Sequence, residues 1–314
     1  MNSRLKHSPE GHMRSVQISE NAIFIYTEGE NSDSYFYTNV ADIACENSGY
    51  GYEILSAKEL EGGTGGKERL LEWYHEAQEK KFLLSSFKGK KKALFFFLDK
   101  DVDGFFDNTF SQKCKCPHIT YTLHYDLESH VFHHGDLVKA VAIAGNLSVH
   151  STKINPFRVG WCEKMALLWK EWIAICFYCK KFNATNKPNY KIPSRINTPF
   201  NKPFDEKKYH EEINSIANFF NFNTTQVADN INEISKTIEQ HIKKGKYYEL
   251  FKGKWYLNLM RSEVMEHLEN RKNGIESNIY TSLMTSLEFS KPWAEHFIAP
   301  LQNITTILDN YNIE

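Results

Sequence analysis

The sequence predicts an α/β domain with a Rossmann-like, mainly parallel sheet, followed by an all-helical part. Over residues 21–150, short apolar runs suited to strands alternate with amphipathic helical patterns, and beyond them only helical patterns occur. The strongest strand is 93–98, A-L-F-F-F-L, whose apolar and mostly large side chains suit a strand buried on both faces. Because helices separate the strands, we expect right-handed crossovers and parallel pairing.

The elements of the α/β part can be placed in order. Residues 1–20 are polar and predict a loose N-terminal arm. A helix is expected from about residue 32, because apolar side chains recur there at every third or fourth position, and a second helix is expected over 67–84. Strands are predicted at 22–27, 52–55, 93–98 and 118–123.

The rest of the chain predicts helices. Residues 157–182 are apolar and aromatic and indicate one long buried helix, whereas the asparagine- and proline-rich stretch 183–204 predicts a loop. Further helices are expected near 205–220, 224–243, 246–271, 276–289 and 292–310. The predicted segments are therefore an arm (1–20), an α/β domain (21–150) and a helical domain (151–314) for substrate or partner binding and dimerisation.

The composition excludes several classes of protein. Hydrophobic residues make up 41% of the chain and aromatic residues 14%, which indicates a packed core rather than disorder. The net charge of −1 does not indicate a nucleic-acid binder, so any such site must come from a local patch. The first residues carry no apolar signal segment, and no run approaches the roughly 18 apolar residues of a membrane span. We expect a cytoplasmic protein without membrane contact.

Six cysteines are present, and in a cytoplasmic chain we expect free thiols. Cys176 and Cys179 lie in an apolar helical pattern, which is typical of a core. Together with Cys114 and Cys116 they offer the ligand number of a structural zinc site. The sequence leaves open whether these four residues bind zinc.

Acidic residues follow the strongest strand. Asp99, Asp101 and Asp103 occupy alternate positions directly after it, which places their carboxylates on one side of an extended segment. Clustered carboxylates repel one another, and a hard cation such as Mg²⁺ is the usual reason to keep them together. The alternative is an aspartate-rich turn. An EF-hand is excluded, because Phe110 occupies the position of the closing glutamate.

Glu28 ends the first predicted strand as Asp99 ends the strongest one. If the two strands are neighbours, the side chains meet at one edge of the sheet, where they can hold divalent ions that activate water for attack at phosphorus. The alternative for Glu28 is a helix N-cap or a surface acid, although Asn31, Ser32 and Asp33 are better placed to cap.

These motifs resemble those of a known family. Glu28-Gly29, the pattern from Asp99 to Asp101, and T-L-H-Y-D-L-E-S-H-V-F at 122–132 resemble the OLD-like Toprim nucleases, in particular the AriB-type effectors of PARIS anti-phage systems. The resemblance covers roughly residues 20–150. One departure is that Ser32 stands where related sequences often have an acid, with Asp33 one position later.

The resemblance implies a Toprim fold with Mg²⁺ or Mn²⁺ as cofactor. Glu28 would be the catalytic glutamate, as metal ligand or general base, and Asp99 and Asp101 would be metal ligands with catalytic roles. Asp103 would be an auxiliary metal-binding acid, and Glu128 would serve a second metal.

The resemblance also implies a biological role. The chain would be a toxic effector that cleaves nucleic acid, tRNA in the first place, when an ABC-type ATPase partner releases it. Release as a homodimer is compatible with the resemblance. The alternatives are an OLD-type DNA nuclease and a non-catalytic module that binds nucleic acid or a partner.

A glycine-rich loop precedes the helix predicted at 67–84. It fails the Walker pattern, because three residues separate Gly62 from Gly66 and Glu68 follows the lysine. Backbone amides at a helix N-terminus nevertheless suit a phosphate. Gly65, Gly66 and Lys67 are therefore predicted to bind a substrate phosphate, with a flexible turn as the alternative.

A basic stretch lies at 243–261, with aromatic residues between its lysines. Lysines neutralise backbone phosphates and exposed aromatic rings stack on bases. For the aromatic residues a role in the core is the favoured interpretation. The predicted nucleic-acid-binding residues are Lys243, Lys244, Lys246, Lys252 and Lys254.

Four histidines crowd one short stretch. His124, His130, His133 and His134 would bind a metal only if the fold brings their rings together. His124, at the end of the fourth predicted strand, is the candidate catalytic histidine.

Overall fold

The computed structural model describes residues 8–30, 32–62, 65–102, 116–184, 187–268 and 274–312. The chain forms two compact units. The sheet unit combines Met1–Leu123 with Glu288–Glu314, and the helical unit is His124–Leu287. The α/β class with a helical part, predicted from the sequence, is confirmed.

The sheet is mainly parallel. β1 (Ile23–Thr27) lies between β2 (Tyr52–Ser56) and β4 (Lys90–Leu98), parallel to both. On the other side of β4, β3 (Leu84–Phe87) pairs antiparallel with its first half and β5 (Ile119–Tyr121) pairs parallel with its second half. The four predicted strands are present, and β3 is an addition that forms a hairpin with β4.

Helices cover both faces of the sheet. α1 (Pro9–Ile18) and α3 (Gly66–Glu79) pack on the face that presents Phe96 and Leu98, whereas α2 (Ser32–Cys45) and α12 (Glu295–Asn310) lie on the opposite face. There the rings of Tyr37 and Phe97 stack with 4.1 Å between their centroids. Side chains of β4 alternate between the two covered faces, which explains why residues 93–98 are all apolar.

The prediction of a loose arm over residues 1–20 is wrong for 9–18. These residues form α1, whose Val16 joins the core. His12 Nε2 and the Tyr26 hydroxyl are 2.7 Å apart in a hydrogen bond. Polar composition hid this helix, because only a few of its side chains face the sheet.

The described part of the helical unit consists of helices joined by turns. Trp169 separates two helices where the sequence predicted one over 157–182, and the predicted helix 246–271 begins only at Gly253 after tighter turns. The helices are α4 (Leu127–His134), α5 (Leu137–Gly145), α6 (Trp161–Leu168), α7 (Lys170–Lys181), α8 (Glu206–Phe220), α9 (Thr224–His241), α10 (Gly253–His267) and α11 (Ile275–Thr285).

The units divide differently from the predicted boundary near residue 150. α4 and α5 belong to the helical unit, because they pack on α10 and α11. α12 belongs to the sheet unit, because it packs on α2 and β4. Among the described residues, no helix has the length and apolar character needed to cross a membrane.

Candidate functional site

Two of the predicted acids meet at one edge of the sheet. β1 and β4 are parallel neighbours with Tyr26 opposite Phe96, so Glu28 and Asp99 follow the strands at the same end. The backbone N–H of Asp99 donates to Glu28 Oε1 at 2.7 Å. The condition that the sequence left open, adjacency of the two strands, is therefore met. We call Glu28, Asp99 and Asp101 the carboxylate edge.

Gly66 brings α3 against this edge. A Cβ atom at Gly66 would lie 2.9 Å from the carbonyl oxygen of Glu28, closer than side chains approach in folded proteins. Glycine is therefore needed for α3 to begin here. The positive end of the α3 dipole and the side chain of Lys67 consequently lie beside Glu28.

Lys67 contacts the acids of the edge. Its ammonium donates to the carbonyl oxygen of Asp99 at 2.6 Å and to Asp101 Oδ2 at 3.1 Å, and it lies 5.6 Å from the ring centroid of Tyr121. The N–H of Gly65 donates to Glu68 Oε2 at 3.2 Å. Two of the three predicted phosphate-binding residues, Gly65 and Lys67, thus have partners within the protein, and Lys67 supplies positive charge to the carboxylate edge.

The charge of Glu28 is poorly compensated. Burial raises the pKa of Glu28 to about 8, and the carboxylates of Asp101 and Asp33 add to the effect. Lys67 and the Asp99 N–H act in the opposite direction. Asp33 is itself held in the loop, because its Oδ2 accepts the N–H of Gly29 at 2.9 Å. A divalent cation at this edge would relieve the excess negative charge, and carboxylate oxygens are the donors that Mg²⁺ and Mn²⁺ prefer.

Of the two further predicted aspartates, the structure describes only Asp101. Asp101 follows the strand in a left-handed conformation, with φ of 53°, and is half-buried. Left-handed backbone is uncommon outside glycine and recurs at functional turns. Asp103 lies outside the described residues. In the described part of the chain, no three acids bring carboxylate oxygens within 4.8 Å of one another. The side chains of the carboxylate edge would therefore have to move closer to one another to bind a metal ion.

Glu128 lies in the helical unit, two residues after Asp126, whose two carboxylate oxygens both accept hydrogen bonds. Asp126 caps α4 and accepts hydrogen bonds from Ser129 N and from Gly253 N, both at 2.9 Å. A Cβ atom at Gly253 would lie 2.3 Å from Ser129 N, so only glycine fits where α10 begins. Burial raises the pKa of Asp126 to about 7, with Glu128 adding to it. Glu128 Oε1 is 3.5 Å from the ammonium of Lys254.

The histidines are brought together in the helical unit. Ring nitrogens of His124, His133 and His134 all lie within 4.8 Å of one another, and these three form the histidine cluster. The side chain of His133 is exposed overall, but partial desolvation of its ring lowers its pKa, and burial lowers the pKa of His134 to about 4 with a contribution from His133. The imidazoles of His133 and His134 are therefore neutral at pH 7. The catalytic role predicted for His124 stays a prediction.

The basic stretch divides into core and surface. Tyr248, Phe251, Trp255 and Tyr256 are buried, which confirms the core interpretation for these aromatic residues. The predicted nucleic-acid-binding lysines lie at the surface except Lys252, which is half-buried. Several are matched with acids: Lys243 with Glu239, Lys246 with Glu249 and Lys254 with Glu128.

The cysteines do not form a set of metal ligands among the described residues. Cys176 and Cys179 are buried in α7, as expected of core residues. Cys116 Sγ lies 3.2 Å from the hydroxyl of Tyr74. Cys114 lies outside the described residues, so the structure does not test zinc binding by the four cysteines.

Sequence reasoning missed two contacts of functional interest. Lys67 was assigned to a substrate phosphate and contacts Asp101 instead, and Lys254 pairs with Glu128, which had been assigned to a metal. Asp126, three residues before Ser129, is a typical N-cap signal and predicts the start of α4.

The chain matches no protein-family model, and no curated protein matches it significantly. The family resemblance rests on the motifs alone.

Proposed function

We propose that the chain is a Mg²⁺- or Mn²⁺-dependent nuclease of the Toprim type. The observation that carries the proposal is the junction of Glu28 and Asp99. These acids follow adjacent parallel strands and are joined through the Asp99 N–H at 2.7 Å. Ligands of open α/β sheets bind at the carboxyl ends of the strands, which is where this junction lies.

The residues of the carboxylate edge and Lys67 would each have a role in catalysis. Glu28, Asp99 and Asp101 would hold the cation, which would stabilise the negative charge that develops on a phosphodiester. Glu28 would bind the cation or, as a general base, accept the proton of the nucleophile, since its carboxylate lies at the junction with Asp99. Lys67, now on Asp101 and the Asp99 carbonyl, lies within the same group and can shift its ammonium to a bound phosphate.

The biological setting of the proposal comes from the motif resemblance. It implies a cytoplasmic toxic effector of an anti-phage system, released from an ABC-type ATPase partner, as a homodimer, to cleave tRNA. The exposed lysines at 243–246 would add affinity for the phosphate backbone. In the alternative, an OLD-type DNA nuclease, the same carboxylate edge would cleave DNA.

Cleavage by the purified chain tests the proposal. Total tRNA, single-stranded RNA and plasmid DNA are incubated with Mg²⁺, Mn²⁺ or EDTA. We expect metal-dependent tRNA fragments, and a loss of at least about 10²-fold in rate in Glu28→Ala and Asp99→Ala. Glu30→Ala is the matched control, because Glu30 is an exposed acid of the same loop that pairs with Lys58. Plasmid cutting would indicate the DNA-cleaving type, and cutting by both edge variants would refute the assignment.

One observation favours a second candidate, a non-catalytic module that binds nucleic acid or a partner. Lys67 already neutralises Asp101 at 3.1 Å, as expected of an edge that needs no cation. Calorimetry with Mg²⁺ and Mn²⁺ distinguishes the candidates. Metal binding that Glu28→Ala abolishes supports the nuclease. A chain that binds tRNA in EDTA, takes up neither metal and cuts nothing in the presence of its ATPase partner supports the module.

A further inference from the structure

The histidine cluster is a set of converging nitrogen donors in the helical unit. His133 and His134 occupy the last turn of α4, and His124 precedes that helix. The ring centroids of His124 and His133 are 4.9 Å apart, and those of His133 and His134 are 4.4 Å apart. Three imidazoles in such contact are the ligand type that divalent transition metals prefer.

His130 and Tyr248 hold the cluster in place. His130 is fully buried, and its Nε2 accepts the backbone N–H of His124 at 3.2 Å. That nitrogen is therefore used to position His124 and is not offered to a metal. The buried ring of Tyr248 packs against His133 with 4.0 Å between centroids. These two contacts fix the positions of His124 and His133 in the cluster.

We propose that His124, His133 and His134 bind one divalent transition-metal ion, with Zn²⁺ as the best-fitting member of this class. Nitrogens of a tetrahedral zinc site lie about 3.4 Å apart, as follows from Zn–N bonds of about 2.0–2.1 Å. The present nitrogens lie within 4.8 Å, so small side-chain rotations bring them into range. The C-terminal end of α4, where His133 and His134 lie, also favours a positive charge.

The proposed site has an open coordination position. Three protein ligands leave one tetrahedral position for water or an anion, as in catalytic zinc sites, whereas structural sites have four protein ligands. His133 is exposed and His124 and His134 are half-buried, so solvent reaches the metal from the side of His133. The site therefore takes a small exogenous ligand.

Metal binding to the full chain tests this inference. Protein treated with EDTA is titrated with Co²⁺ and then Zn²⁺, in millimolar Mg²⁺ that occupies carboxylate sites. We expect one Co²⁺ per chain with the visible absorption of a four-coordinate site, displaced by Zn²⁺. Azide should shift that absorption, and an unchanged spectrum would overturn the open position.

Single variants assign the ligands. His133→Ala and His134→Ala should each weaken Co²⁺ and Zn²⁺ binding by at least about tenfold. His150→Ala, which removes an exposed histidine elsewhere in the helical unit, should leave binding unchanged. Because His133 is exposed, its replacement is not expected to unfold the chain, and circular dichroism checks this.

The outcome separates this site from the proposed nuclease. Glu28→Ala should retain full Co²⁺ binding while losing cleavage. Equal Co²⁺ affinity in wild type, His133→Ala and His134→Ala would overturn the histidine site and leave the carboxylate edge untouched. Loss of Co²⁺ binding in Glu28→Ala alone would assign the metal to the edge instead.

Discussion

Glu28 of the sheet unit and Asp126 of the helical unit are two acids in similar surroundings. Each lies beside the first turn of a helix that a glycine allows to come close, Gly66 for Glu28 and Gly253 for Asp126. Burial raises the pKa of both, to about 8 and about 7. By burial and electrostatics alone, both would be candidates for a functional site.

Their hydrogen bonds set them apart. In the described part of the chain, Asp126 accepts from the N–H and the hydroxyl of Ser129 and from the N–H of Gly253. Glu28 accepts from the N–H of Asp99. Asp126 is therefore used to join the starts of two helices, whereas Glu28 keeps acceptor capacity for a ligand. A shifted pKa of a buried acid therefore indicates a functional site only when its carboxylate oxygens are not already occupied by hydrogen bonds within the protein.

The largest expected effect is on stability, in Asp126→Ala. The substitution removes the carboxylate that accepts the N–H groups of Ser129 and Gly253. We expect the loss of these buried hydrogen bonds to lower the free energy of unfolding by about 3 kcal/mol. Asp136→Ala is the control, because Asp136 caps α5 at an exposed position and its loss should cost about 1 kcal/mol. Urea denaturation measures both. Equal losses would contradict the distinction between Asp126 and an ordinary cap.

Gly66→Ala tests the matching contact in the sheet unit. The added methyl group would lie 2.9 Å from the Glu28 carbonyl oxygen, so α3 or Glu28 must move, at a cost of about 1–3 kcal/mol. Metal-dependent cleavage should fall with it. Gly65→Ala is the paired control, because a Cβ there meets only Glu68 Oε2 at 3.9 Å. A Gly66→Ala protein as stable and active as Gly65→Ala would show that the close approach does not matter.

Glu28→Gln should stabilise the protein in EDTA, in contrast to Asp126→Ala. The folded-state pKa of Glu28 is about 8 against an ordinary 4.5, so between these values the unfolded chain loses the proton first and stability falls as pH rises. Glutamine removes this loss, so we expect a gain in the free energy of unfolding that grows between pH 4.5 and pH 8 and disappears below pH 4.5. Urea denaturation across pH measures the gain. A gain independent of pH would show that Glu28 titrates normally.

The smallest effect on stability is expected in Lys254→Ala. Its ion pair with Glu128 is largely exposed on the lysine side, so the free energy of unfolding should change by less than about 1 kcal/mol. If Lys254 contacts phosphate, tRNA affinity falls and the slope of log affinity against log salt decreases by about 0.7–0.9. Lys236→Ala, at an exposed position of α9, is the control. An unchanged slope would remove Lys254 from the proposed interface.

Much of the sheet unit was predictable from the sequence. Apolar runs predicted four strands, and parallel pairing put Glu28 and Asp99 at the same end of the sheet, because both depend on local pattern and chain order. The adjacency of their two strands came only from the structure. β3 was missed, since its hairpin partner begins with the charged residues 90–92, which do not resemble a strand. The contact of Lys67 with Asp101 and the convergence of the histidine cluster depend on side-chain directions in the folded chain. No spacing rule contains that information.

The position of α12 has a consequence for the order of synthesis. The ring of Phe297 packs on Phe36 and Tyr37, and Lys91 donates to the carbonyl oxygen of Leu308. A ribosome makes all the strands of this sheet first, then the whole helical unit, and only then α12. The α2 face of the nascent sheet therefore lacks its cover by α12 throughout that interval. Folding intermediates that expose apolar surface in this way are prone to aggregate.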